Sequence, residues 1–249
     1  MTLSVAIITK NEEANIRRTL ESVRWADEVI VVDSGSTDRT CDIARQLGAK
    51  VFVEEWKGFA AQKNSAIEKC TGDWILSLDA DEEVSEELAG AIKNVSADFS
   101  GFYMNRKNLF LTRWIRRGGF YPDPKLRLFR RGKGRFEDRA VHETVKVEGE
   151  VGKLRGHLIH HAYPTLSSYI EHMNSYSSLG AEMAVAKGNG RFSILNIVVR
   201  PLATFIYNYI FRLGFLDGRE GLLLHLYHSV YVSWKYAKAW EKARPSSKT

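Results

Sequence analysis

The stretch from Glu28 to Glu54 reads EVIVVDSGSTDRTCDIARQLGAKVFVE, and its reading decides the fold. Glu28–Val32 is dominated by β-branched apolar residues and is too short for a helix, so it predicts a buried strand. The polar turn Asp33-Ser34-Gly35-Ser36-Thr37-Asp38 ends it. Ile43, Ala44 and Leu47 then recur at helical spacing, Gly48 stops the helix, and Lys50–Glu54 returns to a strand pattern. Strand, helix and strand within so little chain predict a right-handed βαβ unit in a mainly parallel sheet.

The same alternation extends on both sides. Leu3–Ile8 predicts the first strand, with Asn11 as cap of the next helix and Glu12 and Glu13 in its first turn. Phe59–Lys69 predicts a third helix and Asp73–Leu78 a fourth strand. The fold class is therefore α/β, a Rossmann-like, mainly parallel mixed sheet flanked by helices. From Gly101 to about Tyr163 the chain turns to short strands and loops rich in Arg, Gly and aromatic residues. From Thr165 it reads helical again.

The whole chain has 249 residues, 44% of them hydrophobic and 27% charged, which excludes wholesale disorder and collagen-like repeats. Two isolated cysteines, Cys41 and Cys70, exclude a disulfide scaffold and suggest a reducing compartment. Met1–Thr9 runs straight into Lys10, Asn11 and Glu12, unlike a secretory signal, and a cytoplasmic location is expected. The net charge of +6 hides a division: residues 1–100 hold 11 Lys and Arg against 19 Asp and Glu, whereas the remainder holds 25 against 11. A basic second half suits nucleic acid, phosphorylated small molecules or an anionic membrane.

Ser193–Leu216 is strongly apolar, but Arg200 and Arg212 interrupt it far short of the roughly 20 residues of a spanning helix. Pro201 should start or kink a helix there. Tyr227, Tyr231 and Trp234 fall at i, i+4 and i+7, and Lys235, Lys238 and Lys242 form a second stripe. This pattern fits a helix lying in a lipid interface, and it fits equally a core-packing helix with a solvated basic edge.

The sharpest chemical feature is Asp79-Ala80-Asp81-Glu82, directly after the apolar run Trp74–Leu78. In open α/β sheets, ligands collect beyond the carboxyl ends of strands. Two carboxylates one residue apart at such an end can share Mg²⁺ or Mn²⁺ with ligand phosphates. A helix N-terminus decorated with acids explains Glu82 and Glu83 equally well, but explains Asp79 poorly, because a charge beside an apolar strand has a desolvation cost. Thr9-Lys10-Asn11-Glu12-Glu13 and the Asp33–Asp38 turn follow two other strands, so three acidic clusters converge on one sheet edge.

Taken in order, T-K-N-E-E, D-S-G-S-T-D, Q-K-N-S-A (Gln62–Ala66) and D-A-D-E resemble the inverting family 2 glycosyltransferases of GT-A fold. Within that family the chain looks most like the lipopolysaccharide-core branch of WaaE type. The resemblance continues through K-L-R-L-F-R-R (Lys125–Arg131), V-H-E (Val141–Glu143), L-I-H-H-A-Y (Leu158–Tyr163) and G-F-L-D-G-R-E-G (Gly214–Gly221). It implies a GT-A domain over 1–165, with a nucleotide-sugar half at 1–100 and an acceptor half at 101–165. Residues 166–249 would be a helical, membrane- or partner-contacting appendage.

The resemblance also implies roles. Thr9, Glu12 and Asp33 would border the nucleoside, and Gln62, Lys63 and Asn64 would close over the nucleotide, with Lys63 offering charge to the diphosphate. Asp79 and Asp81 would serve a divalent metal, completed by His160 or its neighbour His161. Glu143 would be the base that inversion by single displacement requires on the acceptor hydroxyl, with Asp138 and Asp123 in reserve. A surface acid after a strand is the plainer reading of Glu143. Lys125, Arg127 and His142 would meet a phosphorylated acceptor such as lipopolysaccharide inner core. The donor is expected to be a UDP-sugar, with ADP-heptose as alternative. The setting is expected to be peripheral, on the inner face of the bacterial cytoplasmic membrane. No nucleic-acid motif accompanies the basic run 125–135, so no nucleic-acid partner is expected.

Three other readings compete. The acceptor could be a polyprenyl phosphate. A D-x-D after a strand is also the nucleophile pattern of haloacid-dehalogenase-like phosphatases, although there it follows the first strand and continues differently. A membrane adaptor that binds a nucleotide without turnover is the non-catalytic alternative.

Overall fold

The computed structural model describes residues 1–137 and 144–244. These divide into two compact units: residues 1–107 with 123–161, and residues 108–122 with those from 162 onward.

The first unit opens as the sequence predicts, with β1 (Leu3–Thr9), β2 (Glu28–Asp33), β3 (Lys50–Val53) and β4 (Trp74–Asp79) joined through α1 (Ile16–Ser22), α2 (Thr40–Gln46) and α3 (Phe59–Glu68). All three neighbouring pairs, β1 with β2, β1 with β4 and β2 with β3, are parallel. Every residue of β1 is buried, and the same holds for Trp74–Leu78. Helices cover both faces of such a sheet, which is why these strands are continuous apolar runs and not alternating ones.

The chain then adds β5 (Glu82–Val84), α4 (Glu86–Lys93), β6 (Gly101–Phe110), β7 (Arg113–Trp114), β8 (Pro124–Arg130), β9 (Gly134–Glu137), β10 (Thr144–Val147) and β11 (Val151–Tyr163). Among the described residues the main sheet runs β3-β2-β1-β4-β8-β6-β11-β5, and β9 pairs separately with β10. Strand order proceeds from β1 towards β2 on one side and jumps to β4 on the other. A crevice at the carboxyl ends of β1 and β4 is the expected ligand position in such a sheet.

One expectation fails at the first helix. Asn11 takes a left-handed backbone, φ 55°, and its side-chain oxygen accepts from Thr37 N–H at 2.8 Å. The helix begins only at Ile16, and the Glu12 carbonyl receives the N–H groups of Asn15 and Ile16. Asn tolerates positive φ better than most residues, so the signal taken for a cap belongs to a turn. α4 obeys the ordinary rules instead: Ser85 accepts from Leu88 N–H, Glu86 and Glu87 lie in the first turn and Lys93 in the last.

At the opposite, amino-terminal end of the strands, Glu28 is tied to Lys50 Nζ at 2.8 Å, Ser4 Oγ at 2.6 Å and Thr71 N at 2.9 Å. Burial pushes its carboxyl up, but these three partners prevail and hold it at about 2, against an ordinary 4.5. A depressed acid stabilises the fold above its unfolded pKa and loses that contribution as pH falls towards the folded value. A shift of this size corresponds to about 3 kcal/mol, and screening by solvent lowers it, so Glu28→Gln is expected to cost about 2 kcal/mol near neutral pH. In chemical denaturation, wild type and variant should converge below about pH 2.

The second unit is helical. It comprises α5 (Leu166–Ala186), α6 (Arg200–Ile206) and α7 (Gly218–Lys242), with wide helical turns at Leu195–Val199 and Tyr207–Phe211 and a tight one at Gly214–Asp217. Thr165 and Ser168 form a reciprocal capping box at α5. Pro201 stands at the opening of α6, as its missing N–H requires. α5 and α7 meet through Ala181, Ala184 and Ala239, small residues that allow close approach.

Of the two readings of α7, packing prevails. Tyr227, Tyr231 and Trp234 lie against a core of Phe110, Ile115, Tyr169, Met173 and Leu224. Lys238 donates to Asn174, Ser177 and Ser178 of α5, and Lys242 pairs with Glu182. No helix among the described residues is long and apolar enough to cross a membrane.

Candidate functional site

Strand ends in the first unit build the site. Leaving β1, Thr9 is buried with its hydroxyl unpartnered. Beyond it, the Asn11–Glu13 loop is knitted to the turn after β2: Asn11 N–H donates to Ser36 Oγ, Glu12 N–H to Thr40 Oγ1 and Glu13 N–H to Asp38. Asp33 ends β2, buried, and accepts from Gly35 N–H at 2.9 Å, Ser36 N–H at 2.7 Å and Ser36 Oγ at 2.5 Å. Its carboxylate thus shapes its own turn. Glu12 accepts from Asn15 at 2.8 Å. Burial, with the negative charges of Asp81, Asp38 and Asp79, raises its pKa.

From α3, the Gln62 side chain is fully buried with both polar atoms unpartnered. Lys63, also buried, places Nζ 2.8 Å from Asp79 Oδ1 and 5.3 Å from the centre of the Phe136 ring. Asn64 clasps the backbone of Phe136 in both directions, donating to its carbonyl and accepting from its N–H at 2.9 Å each. Asn64 therefore fixes β9 against α3.

Asp79 ends β4 between two cations. Lys63 holds one carboxylate oxygen and Arg127 Nη2 the other, at 2.5 Å. Burial opposes its ionisation, but the charges of Arg127 and Lys63 overcome that and hold the carboxyl far below the usual range. Glu82, wholly buried, accepts from Arg127 at 3.1 Å and from Arg106 at 3.3 Å. It also receives Asp79 N–H at 3.1 Å. Arg106 Nε and Lys125 Nζ close the network on Asp123, at 2.9 and 2.8 Å.

Arg127 is thus a buried strut behind the acidic motif. Removing one member of such a network leaves charges buried and uncompensated. Arg127→Ala is expected to destabilise the protein by about 3–5 kcal/mol, read from its denaturation midpoint.

Asp81 lies in the turn between β4 and β5, which Thr19 pins by donating to Ala80 O at 2.6 Å. His160 Nε2 stands 3.2 Å from Asp81 Oδ2. Burial pushes the Asp81 carboxyl up, but His160 prevails and lowers it. Its neighbour His161 points to Glu83, with Nε2 3.0 Å from Oε2. The pairing of β11 with β5 sets His160 opposite Glu82, so adjacent histidines go to different carboxylates.

Among the described residues no three His, Cys, Asp or Glu side chains form a complete metal shell. Asp81 and His160 offer one oxygen and one nitrogen donor, and the charges of Asp81 and Asp79 reach Glu12, whose pKa they help to raise. That donor set suits a hard or borderline divalent ion whose remaining positions are taken by water and ligand phosphates.

Glu82 and Arg106 escaped the sequence reading. The signal for Glu82 is its place three residues after Asp79, where it reads as a helix-start acid. Asp138, His142 and Glu143 lie outside the described residues.

The comparisons with known proteins agree with this geometry. The family "Glycosyl transferase family 2" matches residues 4–145. The chain is 32% identical over 259 residues to the lipopolysaccharide core biosynthesis glycosyltransferase LpsC of Rhizobium meliloti, covering 98% of this chain and 95% of that protein. It is 34% identical to an "uncharacterized glycosyltransferase" of Rickettsia typhi, over 89% of this chain and 80% of that one. Among solved structures, the mannosyltransferase PcManGT of Pyrobaculum calidifontis, in complex with GDP-Man and Mn²⁺, matches 97% of this chain and 88% of its own. Its TM-score is 0.54 at 16% identity, a likeness of fold. The acidic strand ends, the buried Lys63 and Arg127 behind them, and these matches place the chain in glycosyl transferase family 2.

Proposed function

We propose that this glycosyltransferase moves a sugar, with inversion, from a nucleotide-sugar donor to a saccharide of the lipopolysaccharide inner core. The observation that carries the reading is the carboxyl end of β4, where Asp79 is locked between Lys63 and Arg127 and leaves Asp81 beside His160. The similarity to LpsC along nearly the whole chain supports the acceptor class.

In this reading the donor's nucleoside lies against Thr9, Glu12 and the turn shaped by Asp33, with the diphosphate towards Asp81. Gln62 and Lys63 border it from α3, and Lys63 also holds Asp79 in register. Asp81 and His160 would hold Mg²⁺ or Mn²⁺. When bound, that ion stabilises negative charge on the departing diphosphate. Glu143 would take the proton of the acceptor hydroxyl as that oxygen attacks the anomeric carbon from the face opposite the diphosphate. Lys125 and His142 would meet acceptor phosphate, whereas Arg127, from its buried place, positions Asp79. Residues 1–100 would then form the donor half and 101–165 the acceptor half. A UDP-sugar is the favoured donor and ADP-heptose the alternative, with the acceptor presented at the anionic inner face of the cytoplasmic membrane.

The test is incubation of the full chain with Mn²⁺, each nucleotide sugar in turn, and truncated lipopolysaccharide, followed by mass spectrometry and anomeric NMR of the product. One added sugar of inverted configuration supports the reading. A sugar on a chloroform-soluble polyprenyl phosphate would replace the acceptor, and release of inorganic phosphate alone would replace the reaction.

A further inference from the structure

The motif Gly214–Gly221 lies in the second unit, which builds an exposed surface around it. Tyr207, Ile210, Phe211, Leu213, Phe215 and Leu216 are all exposed there, Phe211 by 72%. A contiguous apolar patch of this kind on a folded unit marks a contact surface.

The tip is ordered by its own bonds. Arg212 N–H donates to Tyr207 O at 2.9 Å, Leu213 N–H to Ile210 O at 3.1 Å and Leu216 N–H to Leu213 O at 3.0 Å. Gly214 has no room for a side chain, because the His225 ring lies 2.4 Å from where a Cβ would stand.

Beside this tip, the loop Arg116-Arg117-Gly118-Gly119 is held in place by the motif's Asp217. That buried carboxylate accepts Arg116 N–H at 3.0 Å and Arg117 N–H at 2.8 Å. Gly118 N–H donates to Arg212 O at 3.0 Å. At Gly119, with φ +92°, the Arg212 guanidinium occupies the space a Cβ would need. Arg116, Arg117 and Arg212 are all exposed. The fold thus sets three exposed arginines beside an apolar tip, with the Arg116 guanidinium over the Trp114 ring at 4.7 Å and that of Arg212 over the Tyr207 ring at 5.8 Å.

We infer that this tip is the protein's membrane-contact surface, with Phe211, Phe215 and their neighbours entering the interface of an anionic bilayer and the arginines meeting lipid phosphates. Charge favours this occupant over a second copy of the chain. Between Glu182 and Asp217 the sequence carries Lys187, Arg191, Arg200 and Arg212 and no acidic residue. A two-fold contact through such a face would set arginines against arginines, whereas an anionic leaflet attracts them. Exposed aromatic and aliphatic side chains flanked by arginines are the composition of a surface that lies in the membrane interface. The inference rests on the proposed membrane-borne acceptor and replaces the aromatic stripe of α7 with a different set of residues.

The test is co-sedimentation of the full chain with vesicles of phosphatidylcholine alone and of equal parts phosphatidylcholine and phosphatidylglycerol. Wild type should pellet with the mixed vesicles and lose binding in high salt. Arg116→Ala with Arg117→Ala should weaken binding about fivefold per arginine. Phe211→Glu with Phe215→Glu should abolish it, while thermal stabilisation by the donor nucleotide stays unchanged in both variants. Equal pelleting of wild type and the Phe211/Phe215 variant, or no preference for the anionic vesicles, would overturn the inference. So would a dimer in sedimentation velocity that the same variant dissolves, which would assign the face to a second copy. Nucleotide stabilisation is read on the same samples. Its failure alongside intact vesicle binding would strike the proposed reaction and leave the surface standing.

Discussion

Asp81→Asn should lower turnover by about 10³-fold, near 4 kcal/mol of transition-state stabilisation, and should remove any dependence of nucleotide binding on a divalent ion. The two carboxylates of the motif have different partners. Asp79 is already neutralised by Lys63 and Arg127, so its charge serves the architecture of the strand end. Among the described residues Asp81 pairs with His160, at 3.2 Å, and that partner lowers its pKa against burial. Asp81 is therefore anionic at neutral pH, the form in which a carboxylate binds a divalent ion. Asparagine keeps the size and one acceptor oxygen but removes the charge, so the denaturation midpoint should move far less than in Arg127→Ala. A variant with near wild-type turnover would show that the acidic motif does not hold the leaving diphosphate.

Glu143→Gln carries the second large effect. A positioned base contributes about 10²–10⁴-fold, and glutamine cannot accept the proton. We expect kcat to fall within that range while nucleotide affinity stays as in wild type. The pH profile of kcat/KM should lose its acidic limb. Near wild-type transfer would return the role to Asp138 or Asp123, and Asp123 starts at a disadvantage because Arg106 and Lys125 already engage it.

The two variants differ in kind. Asp81→Asn should impair binding and turnover together, whereas Glu143→Gln should impair turnover alone. A scaffold that binds a nucleotide without chemistry would show neither loss.

Much of the first unit was legible because its central strands β1 and β4 are buried on both faces. Leu3–Thr9 and Trp74–Leu78 carry no solvent-facing positions to blur the pattern, and each ends at an abrupt change to polar residues. Side-chain partners were less legible, since they depend on register. Nothing in the spacing of Lys125, Arg127 and Arg130 says that Arg127 is the one that reaches Asp79 and Glu82; the antiparallel pairing of β8 with β4 decides it. Which of His160 and His161 stands beside Asp81 depends on the register of β11 on β5. Asn11 misled because a positive-φ turn and a helix cap favour the same residue type. In α7, a stripe of Tyr227, Tyr231 and Trp234 meets a protein core or a lipid interface with the same amphipathic pattern. Only the packing of the neighbouring helix separates the two.

The most direct measurement is calorimetric titration of the full chain with UDP-, GDP-, ADP- and CMP-sugars, each with and without Mn²⁺, repeated on Asp81→Asn. The account predicts that one nucleotide class binds wild type with metal and that the variant loses this dependence. At about 100 times its dissociation constant that nucleotide should add about 2.7 kcal/mol of stability in a parallel thermal scan. Binding of equal strength to wild type and Asp81→Asn, indifferent to Mn²⁺, would contradict the placement of the donor diphosphate at the end of β4.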